Sequence, residues 1–302
     1  MDPKAVYQSV LTEVKKQIVG NESTIELMFV AMVANGHVLL EGVPGIAKTT
    51  MTKTLADAIT ADFKRIQGTP DLDVKDIIGY TYIDENRDIK LKNGPIFTNI
   101  LLIDELNRAP PKTTTALLEP LEERQVTIGD NVIPLKKPFI TFATQNPLNI
   151  EGTSALPKVV ADRFLMRIGV TYPSPEDERS MLRIKEHEDE IKIQKVIGAE
   201  QIIELQKQAK KVTISDDVIK YITDLVNATR TDIHVIMGGS PRAEISFMEC
   251  GKAKTLIEGR NEVTRDDIKF LAKPVLAHRL LVRTTGGIGV GGIIEGIIAS
   301  MR

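Results

Sequence analysis

The segment Gly42-Val43-Pro44-Gly45-Ile46-Ala47-Lys48-Thr49 has the spacing of a phosphate-wrapping loop, GxxxxGK[ST], with Ala47 where the last glycine usually stands. Glycines let backbone N–H groups turn inward, a following helix presents the positive end of its dipole, Lys48 reaches the β- and γ-phosphates, and Thr49 offers a hydroxyl to Mg²⁺. Thr50 completes the candidate nucleotide-contacting run. Further on, Ile100-Leu101-Leu102-Ile103-Asp104-Glu105 sets two adjacent carboxylates at the end of an apolar stretch. Asp104 is expected to hold the Mg²⁺ shell and Glu105 to orient the attacking water, because phosphoryl transfer depends mainly on positioning and charge neutralisation. In Ala143-Thr144-Gln145-Asn146-Pro147, Asn146 is placed to touch the γ-phosphate or the lytic water. Taken singly, each motif has a plainer reading: a Gly/Pro turn with a solvated lysine, an acidic turn after a strand, an Asn-Pro loop start. Their order along the chain favours one site, binding ATP or ADP with Mg²⁺ and hydrolysing ATP to ADP and phosphate.

Such a site needs parallel strands ending on one edge. Val38–Leu40 reads as a short buried strand before the Gly-rich turn, and KTTMTKTLADAI after it has helical spacing. Apolar runs at Phe63–Ile66, Ile100–Ile103, Phe139–Ala143 and Met166–Val170 supply the remaining strands, bounded by polar, Gly or Pro residues. The expected fold class is α/β, a three-layer core with a parallel five-stranded sheet. Ahead of it, Val6, Val10, Val14 and Ile18 recur at helical spacing and predict an amphipathic helix from Pro3 to Val19. Residues 68–99 form an insert longer than a simple connection, and the β-rich arms around Gly129-Asp130-Asn131 predict a projecting hairpin at about 125–135. A proline-broken linker at Tyr172–Asp177, with Ser174 as N-cap and Pro175 at the first helical position, divides residues 1–173 from 174–302. Further N-cap signals at Ser215, Ser240 and Thr264, with no strand pattern between them, predict an all-helical second domain.

Composition narrows the function classes. The formal net charge of -2 over 302 residues provides no global positive field, and the absence of Trp with 4% aromatics argues against a stacking platform, so nucleic acid is not the expected partner. Cys250 is the single cysteine and is expected to be a buried structural residue; together with the lack of zinc-ligand spacing this fits a reducing cytoplasm. Neither a signal-peptide pattern nor a run of about 18 apolar residues is present, so secretion and membrane insertion are not expected. The histidines His37, His187, His234 and His278 are scattered, so no metal besides Mg²⁺ is assigned. The glycines of Gly287-Ile288-Gly289-Val290-Gly291-Gly292 lie too near the end of the sequence to open a dinucleotide-binding unit, and read instead as a lid-packing or subunit-contact segment.

With GVPGIAKT, IDELNRAPPKTTTALLEPLEE, ATQNP, EGTSALPK, ADRF, SPRA and PVLAHRL, nearly the whole chain resembles AAA+ ATPases of the MoxR family. Ala47 is that family's usual form of the loop. The resemblance implies a phosphate-loop core followed by a helical lid, with Asn146 as the sensor-1 residue, Arg163 as the arginine finger and Arg242 as the sensor-2 arginine. It also implies a homo-oligomeric ring, commonly hexameric, acting in a chaperone-like way with a partner bearing a von Willebrand factor A domain and with a client protein. The Gly-rich, apolar run after Arg279 departs from the pattern expected of the family. Two other readings stay open: a nucleotide-gated scaffold with little hydrolysis, and a DNA-associated AAA+ motor, which the low net charge disfavours.

Overall fold

A computed structural model describes residues 1–43, 45–147, 155–187, 191–283 and 289–301. Five parallel strands, β1 (Val38–Glu41), β2 (Phe63–Gln67), β3 (Ile100–Asp104), β4 (Ile140–Gln145) and β5 (Met166–Gly169), form a sheet of order β5-β1-β4-β3-β2. All five expected strands are present. Alternate residues feed two separate cores, as a pleat of period two requires. Val38, Leu40, Leu102 and Phe142 face one, while Leu39, Leu101, Ile103 and Ala143 face the other. Register brings the strand ends together, with Gln67 beside Asp104 and Glu41 beside Gln145.

The first helix, α1 (Pro3–Val14), is shorter than its periodicity predicts. Gly20 and Asn21 at φ of 67° and 58° turn the chain back into α2 (Glu22–Val33), so the stripe breaks before Val19, although Ile18 is buried as expected. Helix α2 is apolar on nearly every side, with Leu27 to Val33 all buried, and so carries no amphipathic signal. Helix α3 (Lys48–Asp57) follows the phosphate-type loop.

The 68–99 insert holds a helical turn, Val74–Ile78, and an antiparallel ribbon, Gly79–Ile83 with Ile89–Asn93. Gly79 has φ +95°, and a Cβ there would sit 2.1 Å from the Lys92 carbonyl, so glycine is required where the ribbon closes. The predicted hairpin is Gln125–Ile128 paired with Asn131–Pro134 around a Gly129-Asp130 turn, directly after α4 (Leu118–Glu123).

At the expected boundary, Ser174 caps α5 (Pro175–Glu186) by accepting from the Asp177 N–H at 3.1 Å, with Pro175 at the first helical position. The lid continues through α6 (Ala199–Ala209), α7 (Asp216–Thr231), α8 (Pro241–Ile257), α9 (Arg265–Leu276) and α10 (Val290–Ser300). It is not wholly helical. Val235–Met237 pairs antiparallel with Leu281–Val282, and Ile197–Gly198 runs beside Ile59–Thr60. Strands this short carry too few alternations to register as a pattern.

The lid packs on the first domain through one continuous apolar cluster that includes Val14, Met28, Leu40, Leu205, Leu225, Phe247 and Leu271. Polar contacts reinforce the junction: Arg279 donates to Asp162 Oδ1 at 3.0 Å and to the Phe164 carbonyl at 2.9 Å, and Arg167 donates to the Ala277 carbonyl at 2.9 Å. Cys250 is buried, as expected, and burial raises its thiol pKa. Ile293, Ile294 and Ile297 of α10 join the shared core, in keeping with lid packing for the apolar tail; residues 284–288, including Gly287 and Ile288, lie outside the described residues. No helix among the described residues is long and apolar enough to cross a membrane.

Candidate nucleotide site

A cavity of about 390 Å³ opens over the C-terminal ends of β2, β3 and β4 and the start of α3, where open parallel sheets take their ligands. It brings together Gly45, Ile46, Ala47, Lys48, Thr49, Thr50, Asp104, Glu105 and Asn146, all expected from the sequence. Pro44 lies outside the described residues. Gly42 and Val43 lie at the root of the loop, where a Cβ on Gly42 would come within 2.3 Å of Ile46 Cδ1. Gly45 and Ala47 both adopt positive φ, 85° and 60°. Ala47 therefore takes a backbone shape that glycine would hold without steric cost, and from it the first turn of α3 begins.

Lys48 Nζ folds onto the loop and donates to the carbonyls of Gly42 and Val43, the latter at 3.0 Å. Burial lowers its pKa, while Glu105, Asp104 and Glu41 act in the opposite sense. Thr49 Oγ1 donates to Asp104 Oδ1 at 2.9 Å, so hydroxyl and carboxylate already point at one spot. Glu105 sits at φ +52° with its N–H held by Thr144 Oγ1 at 2.8 Å, a left-handed turn directly after the last residue of β3. That carboxylate accepts from Arg108 at 2.8 Å and from Gln67 Nε2 at 3.3 Å.

Several site residues were not foreseen. Arg65 Nε donates to Asp104 Oδ2 at 2.6 Å, and Thr144 Oγ1 donates to Asp104 Oδ1 at 3.3 Å. Gln145 Nε2 and Arg167 meet on Glu41 Oε2 at 2.6 and 2.9 Å, tying the ends of β4, β5 and β1 together. The available signal was positional: Arg65 and Gln67 are polar residues at the C-terminal end of a strand predicted to lie in the sheet. A second, mostly apolar cavity of about 600 Å³ adjoins the first through Gly45, Ile46, Ala47 and Thr50, and is walled by Ile18, Val19, Tyr172, Pro173, Met181 and Leu182. Apolar residues drawn from three separate segments left no motif.

Arg163 and Arg242 are not in either cavity. Both rest on Glu122 of α4: Arg163 Nε lies 3.1 Å from Oε2, and Arg242 donates to Oε1. Arg242 thus shares a carboxylate with Arg163 and does not line the cavity at its own chain's phosphate loop, a placement that the sequence alone did not indicate.

A phosphate-type loop, an Asp-Glu pair at a strand end and a helical lid define the class, an AAA+ ATPase. The model of the ATPase family associated with various cellular activities matches residues 37–166, and the AAA lid domain matches residues 227–286. Chaperone MoxR1 of Mycobacterium tuberculosis is 39% identical over 281 residues, covering 89% of this chain and 74% of that protein. An uncharacterized protein of Bacillus subtilis, YeaC, is 39% identical over 96% of this chain and 92% of its own length. Protein MoxR of Methylorubrum extorquens is 27% identical over 89% and 86%. The crystal structure of a candidate ATPase from Cytophaga hutchinsonii superposes with a TM-score of 0.91 at 38% identity, covering 99% of this chain and 95% of that one. The chain belongs to the MoxR family of AAA+ ATPases.

Proposed function

We propose that the chain hydrolyses ATP with Mg²⁺ in a ring of identical subunits, hexameric as the resemblance implies, and that the nucleotide cycle remodels or activates a partner protein. The observation that carries this reading is the division of the catalytic groups: Lys48, Thr49, Asp104, Glu105 and Asn146 share one cavity, whereas Arg163 and Arg242 are displayed elsewhere on the same chain. A site so divided is completed by a second copy.

The donor set at Thr49 and Asp104 is hydroxyl and carboxylate oxygen, which suits Mg²⁺ bound by a few protein oxygens together with phosphates. When present, the ion would neutralise charge on the β- and γ-phosphates. Lys48 leaves the loop carbonyls for phosphate oxygens, Glu105 orients the attacking water, and Asn146 fixes the terminal phosphate. The apolar cavity beside Ile18, Val19 and Tyr172 takes the base. Arg163 and Arg242 supply cationic forks to the neighbour's γ-phosphate as charge develops.

The 79–93 ribbon and the 125–134 hairpin form the edge offered to a client. Ile83 and Ile89 at the ribbon tip are 70% and 77% exposed, which favours apolar protein surface over nucleic acid as the target. A partner with a von Willebrand factor A domain follows from the resemblance, and the single cysteine, Cys250, fits a cytoplasmic setting.

The test is steady-state phosphate release over a range of protein concentrations for wild type, Glu105→Gln and Arg163→Ala, with nucleotide binding measured in parallel. Turnover per subunit should rise with concentration and collapse in both variants while binding persists. Binding without turnover at any concentration would instead establish the nucleotide-gated scaffold.

A further inference from the structure

Arg163 and Arg242 come from opposite sides of the domain boundary, one just after a helical turn of the core and the other in the first turn of α8. Two guanidinium groups this close repel, and a cation in the first turn of a helix also opposes the helix dipole. The same carboxylate offsets both costs. Glu122 Oε2 accepts from Arg163 at 2.9 Å through Nη2 and 3.1 Å through Nε, while Oε1 accepts from Arg242. Asp162, the nearest other acid, is taken up by the buried Arg279 at 3.0 Å and by the Ser240 hydroxyl at 3.2 Å, and stands 3.9 Å from Arg242 Nε. The cluster therefore holds three arginines against two carboxylates, an excess of one positive charge beside solvent: the Arg242 and Glu122 side chains are 41% and 39% exposed. Both arginines hold the Glu122 carboxyl below its usual range, Arg242 most strongly, so it stays ionised near neutral pH.

We propose that Glu122 is a positioning residue that holds Arg163 and Arg242 as a preassembled pair for the triphosphate bound by a second copy of this chain. Resting on the divided-site reading above, the inference adds a residue that touches no nucleotide of its own subunit yet sets the rate at the neighbour's. Arg163 meets Glu122 through Nε and Nη2 and donates Nη1 to the Val159 carbonyl at 2.8 Å, which leaves one N–H on each terminal nitrogen for a phosphate while the carboxylate fixes the plane of the fork.

Subunit mixing tests this. Chains carrying Glu105→Gln have a dead site but intact arginines, and chains carrying Arg163→Ala have an intact site but a deficient neighbour contact. Mixing the two should restore phosphate release well above the sum of the separate proteins. The decisive mixture pairs Arg163→Ala with a chain carrying both Glu105→Gln and Glu122→Gln. We expect restoration to fall about tenfold, with nucleotide affinity and Tm of the double variant close to those of Glu105→Gln alone. Equal restoration by both mixtures would overturn the role of Glu122 and leave the divided site standing. Loss of restoration together with a lowered Tm would reduce Glu122 to a structural tie between core and lid. Failure of the first mixture to restore any activity would overturn the divided site and this inference with it.

Discussion

The cavity and the arginine cluster are built by different means. In the cavity, the functional groups sit at the ends of neighbouring strands, and sheet register alone brings Gln67 beside Asp104 and Glu41 beside Gln145. Hydrogen bonds then lock them, as Thr49 and Thr144 do with Asp104. The arginine cluster has no such frame. Arg163 and Arg242 meet only because the lid docks on the core, and their shared partner Glu122 lies 41 and 120 residues away in sequence. On the function proposed above, chemistry that must be fixed is placed on the sheet, and chemistry to be presented to a second copy is placed across the junction of core and lid.

The sharpest way to break this contrast is to disable each region and compare binding with turnover. Arg163→Ala should lower kcat by about 10³-fold with nucleotide affinity little changed, as expected for a group engaged only as transition-state charge develops. Lys48→Ala should instead abolish detectable nucleotide binding in calorimetry. Equal loss of affinity in both would place Arg163 in its own chain's cavity and collapse the distinction.

Stability probes the junction that presents the arginines. Arg279 is buried and donates to Asp162, and Arg279→Met leaves that carboxylate without its main partner. The expected cost is about 3 kcal/mol, read as a lower urea midpoint. Asp267 sharpens the picture within the lid. Burial alone would raise its pKa, but hydrogen bonds from Arg260, Thr264 and Lys254 outweigh that and bring it down to about 2. Because the folded pKa is depressed, its stabilisation is present above the unfolded value and is lost as pH falls through about 2. Asp267→Asn should remove about 2 kcal/mol from the acid limb of the stability curve between roughly pH 4 and 2. The smallest effect belongs to the cavity. Ala47 at φ +60° carries strain that glycine relieves, partly offset by the greater freedom of glycine in the unfolded chain. Ala47→Gly should therefore raise the thermal midpoint modestly, a net gain of roughly 0.5 kcal/mol.

The parts legible in the sequence were those written in local spacing. The phosphate loop, the Asp104-Glu105 pair and the five strands each depend on residues within a few positions of one another, and periodicity reports such arrangements directly. The Ser174 cap was legible for the same reason. What escaped was made by convergence. Arg65 and Thr144 matter because their strands flank β3, the apolar cavity draws on Ile18, Tyr172 and Leu182, and the place of Arg242 depends on how the lid settles. Helix α2 escaped for another reason: an element buried on all sides has no polar face to set its phase.

The apolar cluster common to α1, α2 and the lid helices carries a mechanical consequence. The linker at Tyr172-Pro173 marks a boundary in sequence, yet the packed interior runs across it without interruption. A domain pair joined only by a strand of linker can swing open as on a pin, with large dihedral changes at a few residues. A pair that shares close-packed side chains such as Met28, Leu205 and Phe247 can move only by small sliding displacements spread over many contacts, as interlocked layers shear. Sliding of that kind in proteins is typically about an ångström or two, the scale expected for lid against core here. Glu122, with a side chain in reach of both Arg163 and Arg242, bridges core and lid at that junction.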